Sequence, residues 1–173
     1  MKYNASFQPI FNADPLNGGV SYPEPVDIED VKVSLRISNS TEDSKIASLM
    51  KAARLRLEAY TGQFFKPRNI TVIFKNQLGG FGLPYFPNGA VTYTDINSEA
   101  LTDYNSDWEY DDVITATYNA GYGFVGNPVP EDVKEAIIEQ VAFLYFNRGD
   151  VNGVGRMSDI AKDLVSGYKV VVL

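Results

Sequence analysis

Residues Tyr118 to Ile137 read YNAGYGFVGNPVPEDVKEAI, and within them Gly121, Gly123 and Gly126 spell a literal G-x-G-x-x-G. An alternating apolar run, Val113 to Tyr118, precedes the glycines, and an apolar-periodic run follows them. A dinucleotide fingerprint opens its helix directly, so that the pyrophosphate rests on free backbone amides at the helix N-terminus. Here Asn127-Pro-Val-Pro130 stands between the last glycine and the helix, and Pro130 offers no N–H. The preceding strand belongs to an antiparallel run, with no βαβ unit in view. The glycines therefore read as a tight turn that needs positive φ, and nucleotide binding is not expected.

Working outward from that turn, Pro130 suits the first helical position and Glu131 and Asp132 suit the first turn. Val133, Ala136, Ile137, Gln140, Val141, Leu144 and Tyr145 then form one stripe, predicting a helix over 130–147. Gly149, Gly153 and Gly155 mark a loop before a short helix over 158–166, and YKVVVL, 168–173, is a β-prone apolar tail. On the other side, Ile70–Phe74, Ala90–Thr94 and Val113–Tyr118 read as strands of an antiparallel insertion over 69–118. Before it, helices are expected over 27–37, stopped by Ser38-Asn-Ser40, and over 41–61, capped by Thr41 and closed by Gly62. Leu49, Ala53 and Leu57 should meet Ile137, Val141 and Leu144, since the two longest stripes lack another large partner. Residues 1–25 carry four prolines and an apolar patch of Phe7, Ile10 and Phe11. They read as an extended arm, either a mobile terminus or a segment that orders on a neighbouring subunit. The fold class is α+β, mainly α: a small helical bundle, one domain over 26–167, with the β region inserted between its second and third helices.

Composition narrows the chemistry. The 173 residues are 45% hydrophobic and 13% aromatic, enough for one domain with a real core. A formal charge of −7 argues against tight nucleic-acid binding, which needs clustered Lys and Arg. Cysteine and histidine are both absent, removing disulfides, thiolate chemistry, the commonest metal ligand and the commonest general base. No stretch has the length of a membrane span and no signal-peptide pattern is visible, so a cytoplasmic protein is the default. Asp95, Asp103, Asp107, Glu109, Asp111 and Asp112 have the chemistry to hold a hard cation, but Ala100 stands where a calcium loop needs glycine. A solvated acidic edge is the better reading, and no spacing singles out a glycosidase pair. Tyr85, Phe86, Tyr93, Tyr104, Trp108 and Tyr110 suit a sugar platform or a protein interface, and suit the core of a small sheet better.

Three stretches together carry a resemblance. The first is VDIEDVKVSLRI, 26–37, with Leu35 and Arg36, followed by TEDS and KIASLMKAARLRLEAYTGQFF, which closes on Glu58, Tyr60, Thr61 and Gly62. The second is TATYNAGYGFVGNPVPEDVKEAI, 115–137, with Gly121, Tyr122, Gly123 and Pro130. The third is FLYFNRGD, 143–150, with Tyr145 and Arg148. In this order the pattern resembles the head–tail connector (adaptor, or head-completion) proteins of tailed bacteriophages, although the N-terminal arm is longer than usual there. The resemblance implies a structural virion protein and not an enzyme, with no cofactor and no metal. It implies a homo-oligomeric ring, usually of twelve, below the portal protein, assembled in the host cytoplasm and located at the neck of the virion. Such a ring extends the DNA channel and offers a docking surface to the next head-completion, stopper or tail protein. Double-stranded DNA would pass without specific binding, as an acidic wall favours, and no membrane is involved. Ring contacts are heterologous and need two different surfaces; the candidates are Phe7, Ile10 and Phe11, the loop residues Tyr85 and Phe86, and Val170, Val171, Val172 and Leu173. The rival readings are a glycan-binding or tail-associated module using the aromatic β region, and a calcium- or magnesium-dependent carboxylate enzyme.

Overall fold

The computed structural model describes residues 8–10, 22–75, 83, 85, 87–101, 112–148 and 156–170. The fold is α+β, with a sheet inserted between the second and third helices as the pattern predicts. By its internal contacts the chain divides into two compact units, where the sequence suggested one domain over 26–167. A helical unit lies within 23–66 and 122–171, and a sheet unit lies within 67–121 and includes the strand at 8–10.

In the helical unit, α1 spans Ile28–Leu35, α2 Asp43–Thr61, α3 Glu131–Phe146 and α4 Asp159–Val165, followed by a 3-10 turn at Ser166–Tyr168. Ile46, Met50, Ala53 and Leu57 from α2 join Val133, Ala136, Ile137 and Val141 from α3 in one buried cluster, with Leu49 and Leu144 half-buried against it. The expected meeting of the two long stripes is therefore present. Val31 and Leu35 of α1 and Ala161 and Val165 of α4 complete the same core.

Helix ends are where local chemistry departs from expectation. Arg36, at φ 57°, stops α1 in a left-handed residue before the Ser-Asn-Ser stretch is reached. Glu42, and not Thr41, occupies the N-cap of α2; the Thr41 amide instead donates to Asn39 Oδ1 in a local turn. Pro130 is the N-cap of α3 and not its first helical residue, with ψ 146° still extended. Gly62 ends α2 as expected, at φ 71°, its N–H reaching Glu58 O at 2.9 Å. Ser158 caps α4 by accepting from the Ala161 amide.

The sheet has five strands among the described residues: β1 Gln8–Ile10, β2 Arg68–Lys75, β3 Pro87–Thr94, β4 Ala100–Leu101 and β5 Val113–Ala120. Their order is β1-β2-β5-β3-β4, antiparallel throughout. Part of the expected free arm is thus the edge strand of the chain's own sheet, and Pro9 sits where an edge tolerates a missing N–H. Register places Ile70 opposite Tyr118, Val72 opposite Ala116 and Phe74 opposite Ile114, all six buried. The alternate face pairs Thr71 with Thr117, their hydroxyls 3.4 Å apart.

The glycine turn follows β5. Gly121, Gly123 and Gly126 all have positive φ, at 94°, 93° and 84°. Gly123 N–H donates to Asn127 O at 2.8 Å and Asn127 N–H to Phe124 O at 3.0 Å. The motif closes on itself and leaves Asn127 to Pro130 to lead into α3.

Candidate assembly surfaces

Several of the sequence-selected positions in the helical unit make contacts within that unit. Glu58, on the apolar stripe of α2, is 6% exposed, and Arg54 one turn earlier is 4% exposed. Their side chains pair at 2.9 Å, Arg54 Nε donates to Glu24 at 2.7 Å, and Lys66 lies 3.5 Å from Glu24. Glu58 also accepts the Phe65 amide at 2.9 Å. One guanidinium thus ties the segment entering α1 to the segment leaving α2. Burial would raise the Glu24 pKa, but the hydrogen bond and charge of Arg54, with Lys66, hold it below its ordinary value. Sequence reasoning selected Glu58 and passed over Arg54 and Glu24. An Arg–Glu pair at i,i+4 lying on an apolar stripe was the available signal.

A second cluster joins the end of α3 to the start of α2. The Tyr145 hydroxyl donates to Glu42, and the Arg148 guanidinium lies 4.2 Å from the Tyr145 ring centroid and 3.6 Å from Glu42. The Tyr145 bond lowers the Glu42 pKa and, reciprocally, raises that of Tyr145. Phe146 beside it is largely exposed.

The start of the C-terminal tail is held by its own unit. Val170 N–H donates to Thr61 O at 2.8 Å, Gln63 donates to Tyr168 O, and the Lys169 ammonium stands 4.8 Å from the Tyr60 ring centroid. Val170, a candidate either for contact with a neighbour or for pairing within its own domain, is bonded here to the C-terminus of its own α2. Tyr122 packs obliquely on buried Phe65 and hydrogen-bonds Gln63. In the sheet unit, Tyr85 is partly buried at φ 59°, and burial raises its hydroxyl pKa. Asp95 accepts the amides of Asn97 and Glu99 and so shapes a turn. Ile10 lies in β1. Phe7, Phe11, Phe86, Val171, Val172, Leu173 and the acids and aromatics from Asp103 to Asp111 fall outside the described residues.

What the sequence did not reveal is the exposed relief of the helical unit. Val125 projects fully from the tip of the glycine turn. Val33 on α1 is 78% exposed and Leu55 on α2 is 44% exposed. A groove of about 490 Å³ runs between α1, α3 and α4, floored by Val26, Ile138 and Leu164. Among the described residues no cluster of carboxylates is arranged to hold a metal ion, and no helix is long and apolar enough to cross a membrane.

No family model and no curated protein matches the chain. Solved structures do. A chain in the neck of an empty gene transfer agent particle, computed with C6 symmetry, aligns with a TM-score of 0.67 at 16% identity, covering 86% of this chain and 91% of that one. A chain in the virion of a native gene transfer agent particle covers 97% of both at a TM-score of 0.59 and 16% identity. A third, in the neck of a native particle computed with C12 symmetry, aligns at 0.59 and 18% identity over 86% and 93%. At these identities the likeness is one of fold.

Proposed function

We propose that the protein is a structural subunit of the neck of a tailed, phage-like particle, a connector that forms a ring below the portal and offers a docking surface to the next neck or tail component. The supporting observation is the breadth of the fold likeness: the neck chains match helices and inserted sheet together, over 86% or more of this chain. The chemistry agrees. A chain without histidine or cysteine and with a charge of −7 is poorly equipped for catalysis and suited to a wall past which DNA slides. The motif residues that the resemblance selected act here as internal ties, as a rigid wall unit requires: Glu58 in the ion cluster, Gly62 at a helix end, Tyr145 and Arg148 between helices.

The test is omission. Assembly without this chain should leave DNA-filled heads that carry no tails in electron micrographs, and adding back the purified protein should restore joining. Tailed, infective particles forming normally in its absence would sink the proposal.

A further inference from the structure

The helical unit carries two surfaces of opposite character that its own fold leaves apart. The outer face of α2 presents Ser44, Ser48, Lys51, Leu55 and Ala59 at three- and four-residue steps, with Lys45 alongside, all exposed. Lys45 and Lys51 have no ion-pair partner among the described residues, and the small residues around Leu55 let another surface approach the helix closely. The groove between α1, α3 and α4 is the reverse. Its rim holds Asp30, Glu131, Asp132 and Glu135 around the exposed Val33. Among the described residues that line it the only cation is Lys134, already engaged by Glu131 at 2.6 Å. The buried side of α2 packs on α3, so its outer face points away, and no α2 residue lines the groove. One copy cannot satisfy both.

We propose that the acidic groove of one subunit receives the basic outer face of α2 from a second copy of this chain, with Leu55 seated near Val33 and Lys45 and Lys51 facing Asp132 and Glu135. The occupant follows from charge complementarity between two faces of a single sequence. Such a contact is heterologous, each copy giving one face and receiving the other, which is the geometry that propagates around a ring. This inference rests on the ring-subunit reading and adds which faces meet.

The absence of cysteine allows a direct test. Leu55→Cys mixed with Val33→Cys should give a disulfide-linked heterodimer under mild oxidation, and the double-cysteine chain should give a ladder of multimers. Each single variant alone should give no dimer. Adding Lys45→Glu with Lys51→Glu, or Asp132→Lys with Glu135→Lys, should each cut crosslinking at least tenfold. An equimolar mixture of those two reversed chains should recover it, because every contact between unlike chains then pairs a helix face and a groove of opposite charge. Raised salt should weaken the wild-type signal. Leu55–Leu55 crosslinks, or reversal without effect while wild-type oligomers persist in the ultracentrifuge, would overturn this pairing but leave the ring. A wild type that stays monomeric both in solution and on isolated heads would overturn the pairing and the ring together. Circular dichroism of each variant separates loss of contact from loss of fold.

Discussion

The helical unit and the sheet unit bury apolar surface by different means. In the helical unit, fourteen buried residues among those described, from α1 to α4 and the segments beside them, close into one cluster, and a buried guanidinium bridges two chain segments. In the sheet unit, burial alternates along β2 and β5 with a period of two, and most of β3 is only partly covered. A cluster contributed by many elements makes each member costly to lose. A ladder held by backbone bonds spreads the cost and tolerates side-chain change. The comparison therefore predicts that the helical unit sets the stability of the chain.

The largest effect should come from Arg54→Ala, which takes the guanidinium away from the buried Glu58 carboxylate and from Glu24 and should cost about 3–5 kcal/mol in urea unfolding. A cost near zero would mean the ion cluster is ornamental and the two units are alike in resting on apolar contact alone. Leu57→Ala, at a fully buried position, should cost about 2–5 kcal/mol. Ile70→Val on the sheet's buried face should cost only about 0.5–1.5 kcal/mol, so equal losses at the two sites, corrected for atoms removed, would erase the distinction.

Gly123→Ala tests the turn at the border between the units. With φ at 93°, an added Cβ should strain the backbone by about 1–3 kcal/mol without altering any ligand binding. Isothermal calorimetry showing micromolar binding of NAD or ATP to the wild type would instead revive the nucleotide reading of the glycines. Deleting residues 168–173 removes the Val170–Thr61 and Tyr168–Gln63 bonds and should lower stability by about 1–3 kcal/mol. An unchanged melting temperature, with failure to join particles, would return the tail to a role purely between subunits.

The smallest effect is a change in the shape of a pH curve. Glu24 has a folded pKa below its ordinary 4.5, so it contributes stability that is present above that value and lost as pH falls through the folded pKa. Glu24→Gln should therefore be less stable than wild type at neutral pH, with the gap closing in acid. A gap that stays constant from neutral pH to pH 3 would show that Glu24 does not stabilise through its charge.

Much of this was legible in the sequence itself. Period fixes which side chains can share a face, so the long stripes of α2 and α3, the strands that precede the glycine turn and the α+β class followed from spacing alone. Positive φ at Gly121 and Gly123 followed too, because the chain must reverse where proline forbids an immediate helix. Helix ends were less legible. Ser, Thr, Pro and Gly signal an end locally, yet Arg36 took the left-handed position closing α1, and Glu42 displaced Thr41 as the cap, because tertiary packing selects where a helix stops. Only the tertiary structure could bring Glu24 to Arg54 across 30 positions, pair Gln8–Ile10 with β2, and return Val170 to Thr61. These contacts join residues far apart in the chain, and nothing in a local period encodes a distant partner. The same holds for the two surfaces offered for assembly. Charge and apolar content are properties of residues, but a groove exists only once three helices have packed around it.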